Sequence, residues 1–264
     1  MKTPIHVKKI LLILFCLLSA AAWSQPYVVL PDGNRVDVDR ILVRPNGDLV
    51  VTMDGQPRDI PRDRYQRAVG VRPDNLARAE SLVAEGNRDE AVPLLTEIIA
   101  SSRYQSWDAM AGVMLMNVHL AKGDPDEANE VLATLRGRYG DELESFFPAV
   151  ELAEWRTRVA IGEVEGLEEE LSELLRSEDT PRERRGNAQL VRGDLKMRRK
   201  AEESAILDYL RAVYFFSDFP EIHAEALFKT ATAFAEIGDS ARLRRYQQRL
   251  KEQHPDSEFA TRNI

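Results

Sequence analysis

Four glycines, at positions 86, 123, 162 and 238, stand 37, 39 and 76 residues apart, and the last step is twice 38. A fixed period in this range marks stacked supersecondary repeats, and it limits the possible folds more than any other feature of the chain. The stretches around the first two glycines read alike, EGNRDEAVPLLT at 85–96 and KGDPDEANEVLA at 122–133. In each, Gly is followed by a polar residue, then by Asp-Glu-Ala, then by a large apolar residue. Gly reaches the left-handed backbone that ends one helix and reverses the chain into the next. Lys200 occupies the place where the period calls for a turn between Gly162 and Gly238.

From Arg72 onward the chain has the spacing of helices. Asn87 with Glu90, Asp124 with Glu127 and Thr180 with Glu183 have the separation of capping boxes. Pro125 and Pro181 are expected at first helical positions, where a missing amide costs nothing. Ala91 and Ala128, five residues after their glycines, are expected where two helices cross closely. Residues 27–70 have a different rhythm. Short apolar runs (YVVL, ILV, LVVTM) alternate with Asp32-Gly33, Asn46-Gly47 and Asp54-Gly55, which supply the positive φ angles of tight hairpins. This predicts a small β-meander of about four strands. Asp32, Asn34, Asp37 and Asp39 miss the spacing of a calcium loop and read as ordinary turn acids.

The first 24 residues join three lysines, the apolar run ILLILFCLL and the small-residue stretch SAAAWS. That is the pattern of a secretory leader, too short for a membrane span. Cleavage is expected near Ser24. It would remove Cys16, the only cysteine, together with Lys2, Lys8 and Lys9, and take the net charge from −8 to −11. The mature chain would then lack disulfides, and its acidity argues against a nucleic-acid partner. The expected organisation is 1–24 leader, 25–70 β-meander module, 71–255 helical repeats and 256–264 tail.

The repeats resemble the tetratricopeptide repeat over about residues 72–255. The first supplies Ala79, Leu82, Gly86, Ala91, Leu95 and Ile98, and the second Gly123, Ala128, Leu132 and Leu135, with Met116 and His119 before the turn. The third has Gly162, Leu171 and Leu174, where Trp155, Arg158 and Leu167 depart from the pattern. The fourth has Gly193, Ala205, Tyr209 and Ala212, and the fifth Ala231, Phe234, Gly238, Leu250 and Pro255. The step exceeds the family's usual length of about 34, so the helices are expected to be longer. HPDSEFA and YFFSDFP are similar to repeats of exported envelope proteins, the Tol–Pal system coordinator and outer-membrane assembly lipoproteins. The chain lacks the coordinator's N-terminal coiled coil and the lipoproteins' acylated cysteine. The expected fold class is mainly α, an α-solenoid of about five such hairpins preceded by the small antiparallel β-meander.

No motif for catalysis, phosphate binding or metal binding occurs, and no cofactor is expected. His119 falls at a helix-packing position, and His223 and His254 near helix ends. The resemblance implies a concave, partner-binding face lined by each first helix. Glu80, Asn117, Arg156, Asp194 and Thr232 form its polar row, beside an apolar row of Leu76, Val113, Leu152, Leu190 and Phe228. Such paired rows suit a groove for a peptide, and they also suit a half-buried helix edge. The basic stretch at 182–200 reads either as a solvated face answering the acids of Glu168 to Glu173 or as a surface for an anionic partner. Leu243, Tyr246, Leu250 and Phe259 would form an exposed strip for a second copy unless the polar helix before Gln253 closes the stack. The expected function is a non-enzymatic envelope scaffold for protein or peptide partners, without nucleic acid and without a membrane span after leader removal. The alternatives are a self-assembling structural component and a repeat arm that presents the β-meander.

Overall fold

The computed structural model describes residues 25–262. The leader and its cleavage site lie outside them. The chain divides into two compact units. One runs up to Val118 and includes Glu130–Pro148, and the other joins His119–Asn129 to the residues from Ala149 onward.

The β region holds six short strands rather than four. These are β1 (Tyr27–Val29), β2 (Arg35–Asp37), β3 (Arg40–Val43), β4 (Leu49–Met53), β5 (Gln56–Ile60) and β6 (Arg67–Val69). They form two antiparallel sheets, ordered β2-β1-β6 and β3-β4-β5. The second sheet is the expected meander. Asp54 and Gly55 both take positive φ, 51° and 73°, and close the two-residue loop between β4 and β5. β5 and β6 escape a reading by apolar alternation. QPRDI is an exposed edge strand with a proline, and RAV is short and returns to pair with β1. Val28, Val38, Ile41, Leu49, Val51, Tyr65 and Ala68 make a small core. The Tyr65 hydroxyl donates to the Gly47 carbonyl at 2.6 Å.

Five helical hairpins follow. They are α1 (Asp74–Ala84) with α2 (Arg88–Ser101), α3 (Trp107–Lys122) with α4 (Pro125–Tyr139), α6 (Pro148–Ile161) with α7 (Leu167–Arg176), α8 (Arg182–Arg198) with α9 (Glu202–Phe215), and α10 (Pro220–Glu236) with α11 (Ser240–Gln253). A short α5 (Leu143–Phe146) precedes the third, and a short α12 (Glu258–Thr261) ends the chain. Gly86, Gly123, Gly162 and Gly238 have φ of 81°, 85°, 90° and 76°, and Lys200 takes the missing place with φ 59°. In four turns the residue after the left-handed one donates its amide five residues back: Asn87 to Leu82, Asp124 to His119, Ala201 to Lys196 and Asp239 to Phe234, at 2.8 to 3.0 Å. That bond satisfies a carbonyl which the helix end would otherwise leave unpaired. The turn after Gly162 is longer and contains a second left-handed glycine, Gly166.

Small or apolar residues fill the crossings. Ala79, Met116, Trp155, Gly193 and Ala231, seven before each turn residue, are all buried, and so are Ala91, Ala128, Leu167 and Ala205, five after it. At Gly193 a Cβ would lie 2.3 Å from the Tyr209 ring, so the ring occupies the space a side chain would need. Three apolar clusters result, around α1 to α3, around α6 to α8, and around α8 to α11.

The capping expectations need correction at two sites. Asn87 makes no side-chain cap, because its amide group donates to Glu85 at 3.2 Å instead. Pro181 is itself the residue before α8, so Thr180 is one position too early and its side chain is buried. Pro125 does begin α4. Asp239, not singled out from the sequence, caps α11 by accepting from the Arg242 amide at 2.9 Å.

Candidate interaction surfaces

In the first unit the two rows have separate fates. Leu76 is 0% exposed and packs among Ala79, Leu82, Ala91 and Leu95, so it serves the core and offers a partner nothing. Val113 is half-buried and Asn117 is exposed. Glu80 pairs with Arg72 at 2.5 Å.

In the second unit the polar row is occupied by the protein's own side chains. Arg156 of α6 donates to Glu225 of α10 at 2.6 Å. Lys229 reaches Glu225 at 3.4 Å and both oxygens of Asp194 on α8 at 2.7 and 2.8 Å. The Tyr209 hydroxyl also donates to Asp194, at 2.8 Å. Two cations and two carboxylates thus tie three successive first helices together and balance. Burial raises the Glu225 carboxyl, but the charges of Arg156 and Lys229 outweigh it and hold the group below the usual range. Burial lowers the Lys229 amine, yet Asp194 and Glu225 bring it above its ordinary value. Arg156 is therefore a structural partner of Glu225. Reversing its charge would leave a buried carboxylate facing another, so it is no neutral probe of partner binding. Leu190 is 0% exposed and belongs to the core. Leu152 packs half-buried beside Trp155 and Leu171. Phe228 is half-buried against Phe259, ring centroids 5.6 Å apart.

The basic stretch is mostly paired within the protein. Arg182 meets Asp218, Arg184 makes a two-pronged contact with Glu151, and Arg199 meets Glu168. Arg192 and Lys196 converge on Asp208, which is 0% exposed. Asp208 accepts from Gln189, Arg192, Lys196 and Arg211 at 2.7 to 2.9 Å. Burial pushes its carboxyl up, and these hydrogen bonds and charges pull it below the ordinary value. Its counterpart in the first unit is Asp108, also 0% exposed, held by Arg138 at 2.9 Å and Tyr139 at 2.6 Å. Neither aspartate stood out in the sequence. The available signal was a lone acid inside an apolar helix, as in AILDYL.

His223 is the fourth residue of α10 and His254 follows α11. Their rings share a hydrogen bond of 2.8 Å between Nδ1 and Nε2. Burial lowers both, and for His223 the neighbouring His254 and Arg249 add to it. The strip expected for a second copy is covered: Tyr246 and Leu250 are buried, Leu243 is half-buried, and Phe259 of α12 packs onto the same cluster. In the first unit an open cleft of about 910 Å³ is lined by residues including Asp48, Arg62, Tyr65, Arg138 and Glu142. Among the described residues no cluster of three metal-ligating side chains occurs, and no helix is long and apolar enough to cross a membrane.

One comparison bears on the last hairpin. Residues 225–257 match the family model of the tetratricopeptide repeat. The matched segment spans most of α10, the Gly238 turn and α11, so the fifth hairpin is similar to a tetratricopeptide repeat. Tetratricopeptide repeats are generally non-enzymatic interaction modules. Comparison with curated proteins and with solved structures gives no match.

Proposed function

We propose that the chain is a non-enzymatic, exported scaffold that holds protein partners in the bacterial cell envelope. The observation that carries this is the set of five in-phase hairpins, the last of which matches the tetratricopeptide repeat. Repeat stacks of this kind bind extended segments on surfaces that single helices cannot offer. The leader pattern of residues 1–24 supports export. Val113, Asn117, Leu152 and Phe228 are the first-helix positions still open to a partner, since the other members of the two rows are buried or paired.

A second reading makes the β region the recognition module, supported by the open cleft it shares with the end of α4 and by the exposed Leu42. Affinity purification from envelope extracts, with the chain and an Asn117→Arg variant, tests the first reading. It expects a discrete protein recovered by the chain and weakened by the variant. Recovery unchanged by Asn117→Arg but abolished by Leu42→Asp would favour the second. Mass analysis of the exported protein should show a start near Gln25. An intact Met1, or an acyl group on Cys16, would contradict cleavage near Ser24.

A further inference from the structure

Among the described residues seven large apolar side chains stand exposed, and three of them lie on α9: Leu207 at 56%, Tyr214 at 59% and Phe215 at 67%. With Arg211 they fall at intervals of four, seven and eight residues, which places them on one face of the helix. The other face, with Ala205, Tyr209, Ala212 and Val213, is buried in the core. Single exposed apolar residues are normal, whereas three gathered around an arginine have the composition of an interface centre.

The charge of this face is mainly positive. The Arg211 side chain is 51% exposed and touches Asp208, a single carboxylate already answering Arg192 and Lys196. Three cations therefore share one buried anion, and among the described residues Arg211 has no carboxylate of its own. From α11, Arg249 lies 5.9 Å from the Tyr214 ring and 5.6 Å from that of Tyr246. The Tyr214 phenol is held below its ordinary value by a hydrogen bond with Tyr246 and by the charges of Arg249 and Arg245. Acids nearby include Glu203, one turn before Leu207, Asp218, which Arg182 engages at 2.8 Å, and Glu252 of α11, which accepts from Gln248 at 2.7 Å.

We propose that the outer face of α9, with Arg245 and Arg249 of α11, docks an acidic segment of a partner protein that alternates carboxylates with large apolar side chains. This rests on the scaffold reading above and names the partner's chemistry. Leu207, Tyr214 and Phe215 take the partner's apolar residues, and Arg211, Arg245 and Arg249 take its carboxylates. A nucleic acid fits less well, because a long polyanion would run past this face onto a chain of net charge −11 once the leader is removed, whereas a short acidic segment need only meet the arginines.

The test is fluorescence anisotropy with a labelled peptide that alternates Glu with Leu and Phe, against the same peptide with Lys for Glu, and against a single-stranded oligonucleotide. The acidic peptide should bind, and raising salt should weaken it. Leu207→Asp with Phe215→Asp, and separately Arg245→Glu, should each weaken it at least about tenfold, since hot-spot losses of this size are typical of an interface centre. Circular dichroism checks that both variants fold. Should the apolar pair of changes unfold the chain, Arg245→Glu alone decides. Equal binding of the lysine peptide, or binding untouched by the variants, would overturn the proposal. Tighter binding of the oligonucleotide would also overturn it and assign the face to nucleic acid. If purified partners are still captured by chains carrying these changes while the peptide fails to bind, the docking face falls and the scaffold reading stands.

Discussion

Asp108 and Asp208 solve the same problem in opposite ways. Each is a carboxylate with no exposed surface, and each holds helices together where a charge would otherwise be costly to bury. Around Asp108 one cation, Arg138, is joined by the Tyr139 hydroxyl and the amides of Tyr104 and Ala109. The charges there balance, and Tyr139 is kept protonated by burial and by the Asp108 charge. Around Asp208 the donors are Arg192, Lys196, Arg211 and Gln189. One negative charge meets three positive ones, and the surplus reaches the surface at Arg211. A balanced lock leaves nothing for a partner, whereas an overcompensated one leaves charge to be answered from outside.

The comparison breaks most directly at the aspartates themselves. Removing one member of a buried pair costs about 3–5 kcal/mol, because the other is left uncompensated. Asp208→Ala should lie at the upper end, since it frees three mutually repelling cations, and Asp108→Ala should cost less. Urea denaturation of both variants measures this, and the reverse order would show that the two sites do not differ as described.

A smaller effect is expected at the crossings beside each lock. Alanine at Gly193 would bring a Cβ within 2.3 Å of the Tyr209 ring, a flat group pinned by Asp194. Alanine at Gly112 would meet Leu135 at 2.7 Å, a side chain able to turn aside. Gly193→Ala should cost about 1–3 kcal/mol by overpacking. Gly112→Ala should be close to neutral, helped by about 1 kcal/mol of helix propensity. Equal melting temperatures would contradict the packing.

Acid should act on the second unit in two windows. The paired histidines have folded values below the ordinary 6.5. Their contribution is complete above that pH and is lost as pH falls below it, because the unfolded chain takes up protons first. The Asp208 carboxyl is held below 3.8, so its contribution is complete above that value and disappears as pH falls through the folded value. Denaturation from pH 7.5 downward should show the first loss beginning near 6.5. A profile without slope down to about pH 5 would contradict the histidine pair.

The smallest expected change is a gain. Lys200 sits at φ 59°, where a side chain costs about 1 kcal/mol and glycine nothing. Lys200→Gly should stabilise the α8–α9 hairpin by that amount. A loss of stability would mean that the Lys200 side chain makes up for its backbone.

The period of the turns was legible because each turn needs a left-handed residue, and glycine is the residue that reaches that conformation freely. Even Lys200 could be placed by counting. The β region was legible in its Asp-Gly and Asn-Gly turns but not in β5 and β6, whose residues carry no apolar alternation. The candidate site was only partly legible. Spacing located Arg156 and Asp194 on first helices, but not their partners Glu225 and Lys229, which lie far along the chain and meet them only through packing. The same holds for Leu76 and Leu190, since an apolar residue on a helix edge reads alike whether a core or a partner covers it.

The central claim is that the helical repeats, not the β region, hold a protein partner. It is tested most directly by placing a photo-crosslinking residue at Asn117, Leu207, Phe215 or Leu42 in the full chain and irradiating intact cells. All four positions are exposed, so the label itself should be tolerated. The account predicts a discrete adduct with another protein from Asn117, Leu207 or Phe215, identifiable by mass spectrometry. Adducts from Leu42 alone would contradict it and give recognition to the β region.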